Sequence, residues 1–270
     1  MLDRGPARPY AAALSRTLDT RSPRHEDPQF AEVAQGPPPG QPRDPSSRPH
    51  LRHQQDQPPL QGAPGLIQPP TAVVFDVGRV LYDWDPRFLY ERLIPPGEAL
   101  DAFLREVVTI DWHFQHDAGR DFADTSAELI ARHPQHARLI EAWQPRFNET
   151  IPGPIAGMHA LVERLDDAGV PLFAITNFSH EFWPPFRAQE AALFDRFRDI
   201  VVSGTEKLIK PDPAIYHLAL ARFGLEPGQA VFIDDNAANV AGARAVGMHA
   251  VLFTGVDALV EDLRMLGLPA

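Results

Sequence analysis

Four short motifs occur in a fixed order along this chain: VVFDVG ending at Gly78, FAITN ending at Asn177, KPDP beginning at Lys210, and VFIDDN ending at Asn236. Three are apolar runs of strand length that end abruptly in side chains able to handle a phosphate or a metal, and the fourth opens a helical segment with a cation. A buried strand that releases a polar residue at its C-terminal end is how open parallel sheets build ligand sites. The motifs therefore constrain fold and chemistry together. Asp76 offers a carboxylate nucleophile, Thr176 and Asn177 hydrogen-bond donors, Lys210 a cation, and Asp234 with Asp235 a pair of hard oxygen ligands. Together they describe phosphoryl-transfer chemistry.

The segments between the motifs extend the pattern. Ala72–Phe75, Val170–Ile175, Asp199–Val202, Ala230–Ile233 and His249–Phe253 read as buried strands, and Ile155–Ala168, Pro213–Phe223 and Ala237–Val246 have helical spacing. Strands that alternate with helices predict an α/β fold, a doubly wound, Rossmann-like parallel sheet covered on both faces. One stretch interrupts the alternation. From Arg87 to Pro152 the sequence is helix-like, with Pro86–Leu93, Glu98–Val107, Phe122–Arg132 and Ala137–Phe147 as candidate helices and no good strand. Inserted after the first strand, it would form a helical cap over that strand's C-terminal end. The expected division is a tail over residues 1–70, a core made of 71–86 and 153–270, and a cap over 87–152.

The tail is set apart by composition: residues 1–70 hold 15 of the 29 prolines, with 8 Arg against 7 Asp plus Glu. Such a segment buries too little apolar surface to offset its chain entropy and reads as disordered. A linker, an over-extended gene start and a proline-rich docking arm are all compatible with it. Met158 is the next methionine after Met1. The remaining 200 residues carry 17 basic and 29 acidic side chains, a net charge of -12 that repels nucleic acid and anionic membrane. No apolar run is long enough to cross a bilayer, and the absence of cysteine excludes disulfide frameworks, zinc-thiolate sites and thiol nucleophiles. A cytoplasmic protein with a small-molecule partner is the expectation, its oligomeric state open. Lys207 and Lys210 are the only lysines in a chain that otherwise uses Arg. A role for a compact ammonium at Lys210 is one explanation, a general bias toward Arg the other.

From Thr71 onward, the four motifs and their order resemble the haloacid dehalogenase (HAD) superfamily, in the branch that mixes small phosphatases with 2-haloacid dehalogenases. The resemblance implies that Asp76 is the nucleophile and forms an aspartyl-phosphate, and that Thr176, Asn177 and Lys210 hold the phosphoryl group. It implies that magnesium is bound by Asp76, the Gly78 carbonyl and Asp235, with Asp234 in or near the ligand set. Asn239 stands where relatives often have a supporting acid. Arg79 stands where they often have Asn, and either binds the substrate or pairs with a neighbouring acid. Trp84, Trp112, His113, Asp117 and Arg120 are candidate cap or pocket residues.

One position departs from the pattern. The family's phosphatases place a second Asp, a general acid and base, two residues after the nucleophile, and here that residue is Gly78. Loss of such a group removes about 10²- to 10⁴-fold of catalysis. Either the substrate has a good leaving group, or a surrogate such as Asp83, Asp85, His113 or His180 acts, or the chain has departed toward metal-independent dehalogenation. The acid pair at Asp234 and Asp235 favours a magnesium-dependent phosphatase of a small phosphorylated metabolite such as a sugar phosphate. A 2-haloacid dehalogenase and a non-catalytic binding or phospho-acceptor protein are the alternatives.

Overall fold

Residue by residue, the strands send their side chains to opposite faces of one sheet, and both faces are buried. Val73 and Phe75, Leu172 and Ala174, and Val231 and Ile233 belong to one apolar cluster; Ala72 and Val74, Phe173 and Ile175, and Ala230 and Phe232 belong to another. A strand covered on both sides must be apolar at every position, hence the unbroken runs in the sequence. A computed structural model describes residues 69–270, and the tail expected over residues 1–70 lies outside them apart from its last two residues.

In chain order the elements are β1 (Ala72–Phe75), β2 (Tyr82–Asp83), α1 (Pro86–Tyr90), α2 (Glu98–Glu106), α3 (Ile110–Asp117), α4 (Phe122–Arg132) and α5 (Ala137–Glu141). There follow β3 (Gly153–Pro154), α6 (Met158–Asp167), β4 (Leu172–Thr176), α7 (Trp183–Gln189), α8 (Ala191–Phe194), β5 (Asp199–Val202) and α9 (Ser203–Glu206). The last are α10 (Pro213–Phe223), β6 (Ala230–Asp234), α11 (Ala237–Ala245), β7 (His249–Leu252) and α12 (Val256–Met265). The main sheet is parallel, in the order β5-β4-β1-β6-β7. The chain winds outward from β1 first on one side and then on the other. The C-terminal end of β1 is thus the topological switch point, where a crevice opens between diverging connections. Asp76 is the residue that follows β1.

The expected strands are present with small shifts, and local chemistry accounts for the shifts. Pro171 has no N–H to give to the ladder, and β4 begins after it. The helix expected over Ala137–Phe147 stops at Glu141 ahead of Pro145, and a separate 3₁₀ turn covers Phe147–Thr150. α1 ends at Tyr90, before the Pro95–Pro96 pair.

Between β2 and β3 the chain is helical, and these two short strands pair antiparallel, Tyr82 with Pro154 and Asp83 with Gly153, closing the base of the insertion. The insertion shares its core with the sheet. Leu100, Phe103, Trp112, Phe122, Leu129, Ile140 and Trp143 lie in the same apolar cluster as Val73 and Phe75. At roughly 1.5–3 kcal/mol for each fully buried large side chain, this common core holds the inserted helices firmly against the sheet. Among the described residues, no helix is long and apolar enough to cross a membrane.

Candidate active site

Lys210 sits at the centre of the site, fully buried, with its ammonium 2.8 Å from Asp76 Oδ1 and 2.7 Å from Asp234 Oδ2. Burial by itself would lower the lysine's pKa, but the two carboxylates outweigh it and hold it above its ordinary value. The backbone of Lys210 is gripped as well. Asn177 donates from Nδ2 to its carbonyl at 3.1 Å and accepts from its N–H at 2.9 Å. Both ends of the Asn177 amide are thereby occupied in fixing the lysine.

Asp234 ends β6 and is equally engaged. It accepts from the Asn236 N–H and from Asn239 Nδ2 on Oδ1, and from Lys210 and Asn239 Nδ2 on Oδ2. Asn239, three residues into α11, is therefore a neutral donor to an acid rather than a further acid. Asp76 Oδ1 accepts from the Val77 N–H at 2.7 Å in addition to Lys210.

Ligand oxygens of Asp76, Asp234 and Asp235 all lie within 4.8 Å of one another. Three carboxylates face one ammonium, an excess of negative charge in a buried place. Burial raises Asp76 to about 8; Lys210 opposes the rise, while Asp234 and Asp235 add to it. Asp235 is raised to about 6, again chiefly by burial and next by Asp234, with Arg79 and Lys210 opposing. Lys210 and Asp76 are both raised although they are partners, which two isolated charges would not do; the surplus of carboxylates explains it. A divalent cation is the natural complement of this set, and an all-oxygen donor group fits magnesium. Asp76 and Asp235 have the freer oxygens, since both oxygens of Asp234 are occupied.

The pocket in front of Asp76 has room for about 60 Å³. Gly78, Arg79, Asn177, Lys210, Asp235, Asn236 and Asn239 line it from the sheet side, and Tyr82, Trp84, Phe147, Phe178 and Phe186 give it an aromatic wall. His113 and Asp117 enter from α3. Of the expected residues, Thr176 is not on the wall; its hydroxyl is buried at the end of β4 without a hydrogen-bond partner. Arg79 has its guanidinium 5.7 Å from the centre of the Trp84 ring and its backbone in the left-handed region, φ 60°. Asn tolerates that conformation better than Arg, so the steric reason for an Asn at this position is plain.

Several candidates lie elsewhere. Trp112 is buried in the inserted helices, donating to the Thr125 carbonyl; Arg120 is exposed and pairs with Glu128; His180 faces Asp121 at 3.3 Å. Among the suggested surrogates for the missing acid, Asp83 accepts from the Trp84 N–H and Asp85 caps α1, so neither reaches the pocket.

Two features escaped the sequence reading. The first is α3 itself, whose buried face is Trp112, His113, His116 and Asp117, so no apolar period marks it. Its ends are marked: Thr109 caps the N-terminus by accepting from the Trp112 N–H, and Gly119, φ 89°, follows the C-terminus. The second is the seat of α3 on the sheet. Ser203 Oγ donates to the Asp117 carbonyl at 2.6 Å and accepts from the Phe178 N–H at 2.9 Å. A Cβ on Gly119 would come 2.9 Å from the Gly204 carbonyl oxygen, and one on Gly204 would come 2.5 Å from the His180 nitrogen and 2.7 Å from the Phe178 carbonyl oxygen. Only backbone fits between these loops. Gly204→Ala is expected to lower stability by about 1–3 kcal/mol, measured by denaturant unfolding. An unchanged midpoint would mean that the loops are not held this closely.

Residues 70–247 match the family model of haloacid dehalogenase-like hydrolases. The chain belongs to that family. The HAD chain is 27% identical over 201 residues to sesquiterpene phosphatase astK of Aspergillus oryzae, covering 72% of itself and 95% of the relative. It is 33% identical to (S)-2-haloacid dehalogenase 4A of Burkholderia cepacia over 33% of its own length and 38% of that protein's. Against mouse acyl-CoA dehydrogenase family member 10 the identity is 26% over 73% of the HAD chain, which spans only 19% of that longer protein. Among solved structures, a HAD family enzyme of Bacteroides thetaiotaomicron, in complex with magnesium and inorganic phosphate, superposes with a TM-score of 0.53 at 18% identity, covering 68% of this chain and 93% of that one. The HAD relatives thus include phosphatases and dehalogenases.

Proposed function

We propose that this HAD hydrolase is a magnesium-dependent phosphatase of a small phosphorylated metabolite, with Asp76 as nucleophile. The observation that carries the reading is the set of three carboxylates around one ammonium at the end of β1. A dehalogenase needs its nucleophile ionised but has no use for two further acids beside it. A phosphatase uses them.

In this reading Asp76 attacks phosphorus and the bond to the leaving oxygen breaks, giving an aspartyl-phosphate that water then hydrolyses. Lys210 keeps Asp76 aimed and partly neutralises the phosphoryl oxygens, while Asn177 holds Lys210 in place. Asp76, Asp235 and the Gly78 carbonyl would hold a magnesium ion, which would supply positive charge to the phosphoryl oxygens. Arg79 is the remaining cation on the wall and a candidate ligand for the substrate. The inserted helices act as the cap that selects the substrate.

The pocket is polar on the sheet side and aromatic opposite, which suits a phosphoryl group carrying a small, partly apolar substituent. Sugar phosphates are the first class to screen, because an aromatic wall stacks on the apolar face of a sugar ring. The test is hydrolysis of an activated aryl phosphate by wild type and Asp76→Asn, each with magnesium and with chelator. Activity is expected only in the wild type with magnesium. Halide release from a 2-haloacid that survives chelator would establish the dehalogenase instead, the reading that Gly78 favours because dehalogenation needs no leaving-group acid. Phosphate retained on Asp76 without turnover would mark a phospho-acceptor.

A further inference from the structure

The family's usual general acid and base is absent at Gly78, yet the pocket contains a carboxyl group that no other interaction explains. Asp117, the last residue of α3, is 1% exposed, and neither of its carboxyl oxygens has a hydrogen-bond partner. His113 Nε2 stands 3.4 Å from Oδ2, but outside hydrogen-bonding geometry. Lys210, the nearby cation, is already engaged with Asp76 and Asp234. A buried carboxylate without donors is costly, so a residue of this kind in a merely structural role would be expected to find a partner. The backbone of Asp117 is not loose. Its carbonyl accepts from Ser203 Oγ, and the turn that follows it rests against Gly204. The main chain fixes the position, and apart from the His113 ring at 3.4 Å the carboxyl group borders the cavity that holds Asp76.

We propose that Asp117 is the general acid and base of this enzyme, replacing from the inserted helices the carboxyl group that the sheet lacks at Gly78. This rests on the phosphatase reading. As Asp76 attacks phosphorus and the bond to the leaving oxygen breaks, the Asp117 carboxyl gives its proton to that oxygen and becomes a carboxylate. It then takes a proton from the water whose oxygen attacks the aspartyl-phosphate. The bond between phosphorus and Asp76 breaks, Asp76 and Asp117 return to their starting forms, and inorganic phosphate leaves. Burial, reinforced by Asp76 and opposed by Lys210, holds the Asp117 carboxyl well above the usual carboxylate range, the direction that suits a proton donor. Burial, with His116 next, holds His113 well below the usual histidine range, which disfavours an ion pair with Asp117.

The experiment compares wild type, Asp117→Asn and Asp117→Ala on an unactivated alkyl phosphate and on an activated aryl phosphate. For Asp117→Asn the alkyl phosphate is expected to turn over about 10²- to 10⁴-fold more slowly. The aryl phosphate, which needs no proton on its leaving group, is expected to give a burst of phenolate matching the enzyme, followed by slow turnover, with the added phosphoryl group visible by intact mass. Formate is expected to restore turnover to Asp117→Ala by filling the vacated space with a carboxyl group, which also keeps the test open should the Asn variant not fold. Variants that match the wild type on both substrates, or that lose both equally with no burst and no rescue, overturn the assignment. A wild type inactive on every phosphate overturns the phosphatase reading itself; a wild type that depends on Asp76 beside indifferent Asp117 variants overturns this inference alone.

Discussion

Lys210→Met is expected to abolish turnover and to cost about 3–5 kcal/mol of stability, the usual penalty for removing one partner of a buried ion pair. The methionine fills the space of the lysine stem, so packing against Phe232, whose ring centre lies 5.3 Å from the ammonium, is largely kept. The charge balance is not kept. Asp234 is fully buried and Asp76 nearly so, and both lose the ammonium they pair with while Asp235 still faces them. For a domain of this size the loss corresponds to a fall in the thermal midpoint of roughly 6–20 °C. A second variant separates the two consequences. Lys210→Met with Asp234→Asn restores much of the stability, because one of the two stranded charges is gone, and restores no activity, because Asp76 still lacks its ammonium. Equal midpoints for the wild type and the single variant would show that the protons, not the lysine, neutralise the carboxylates in the folded protein.

The same residue shows what was readable beforehand. Lys210 was singled out as a lysine beside a proline in a chain of arginines, because a motif preserves side-chain chemistry in linear order. Its depth and its two carboxylate partners were not visible, because β1, β4 and β6 are brought side by side only by the sheet. The central strands β1, β4 and β6 were legible for a simple reason: burial on both faces forces an unbroken apolar run, and such runs survive in any reading. α10 and α4 were also expected, one from its helical spacing over Pro213–Phe223, the other as a helix-like stretch over Phe122–Arg132.

α3 was illegible because it does the opposite. A helix that turns His113, His116 and Asp117 inward reads as a polar surface segment, and only its Thr109 and Gly119 ends betray it. Asp117 was recognisable as a candidate for the pocket, but no local signal said that its carboxyl would be left without a partner. Asn177 teaches a related lesson. Its place in the motif suggested a donor to phosphate, and its amide also grips both polar groups of the Lys210 backbone, a contact between residues 33 positions apart. Sequence motifs identify which groups belong to the site; the division of labour among them depends on tertiary contacts.

Gly78→Asp should have an effect that depends on residue 117. The backbone at Gly78 is not in the left-handed region, and a Cβ there would meet nothing within 4 Å, so a side chain is tolerated without displacing a neighbour. Replacing a glycine in such a place also removes freedom from the unfolded chain, worth about 0.4–1 kcal/mol, against which stands the repulsion of one more carboxylate near Asp76 and Asp235. On turnover, the new acid duplicates what Asp117 supplies. In the wild-type background the gain on an alkyl phosphate is therefore expected to stay within about tenfold, whereas in Asp117→Asn it should recover most of the roughly 10²- to 10⁴-fold loss. Gly78→Asn, which has the same size and no proton to give, should rescue neither. Four values of kcat/KM, for the two single variants, the double variant and the wild type, decide the matter: a large coupling means that the two carboxyl groups perform one task from opposite sides of the pocket. Equal gains in both backgrounds would mean that residue 78 and residue 117 act independently, and would leave Asp117 without the role of proton carrier.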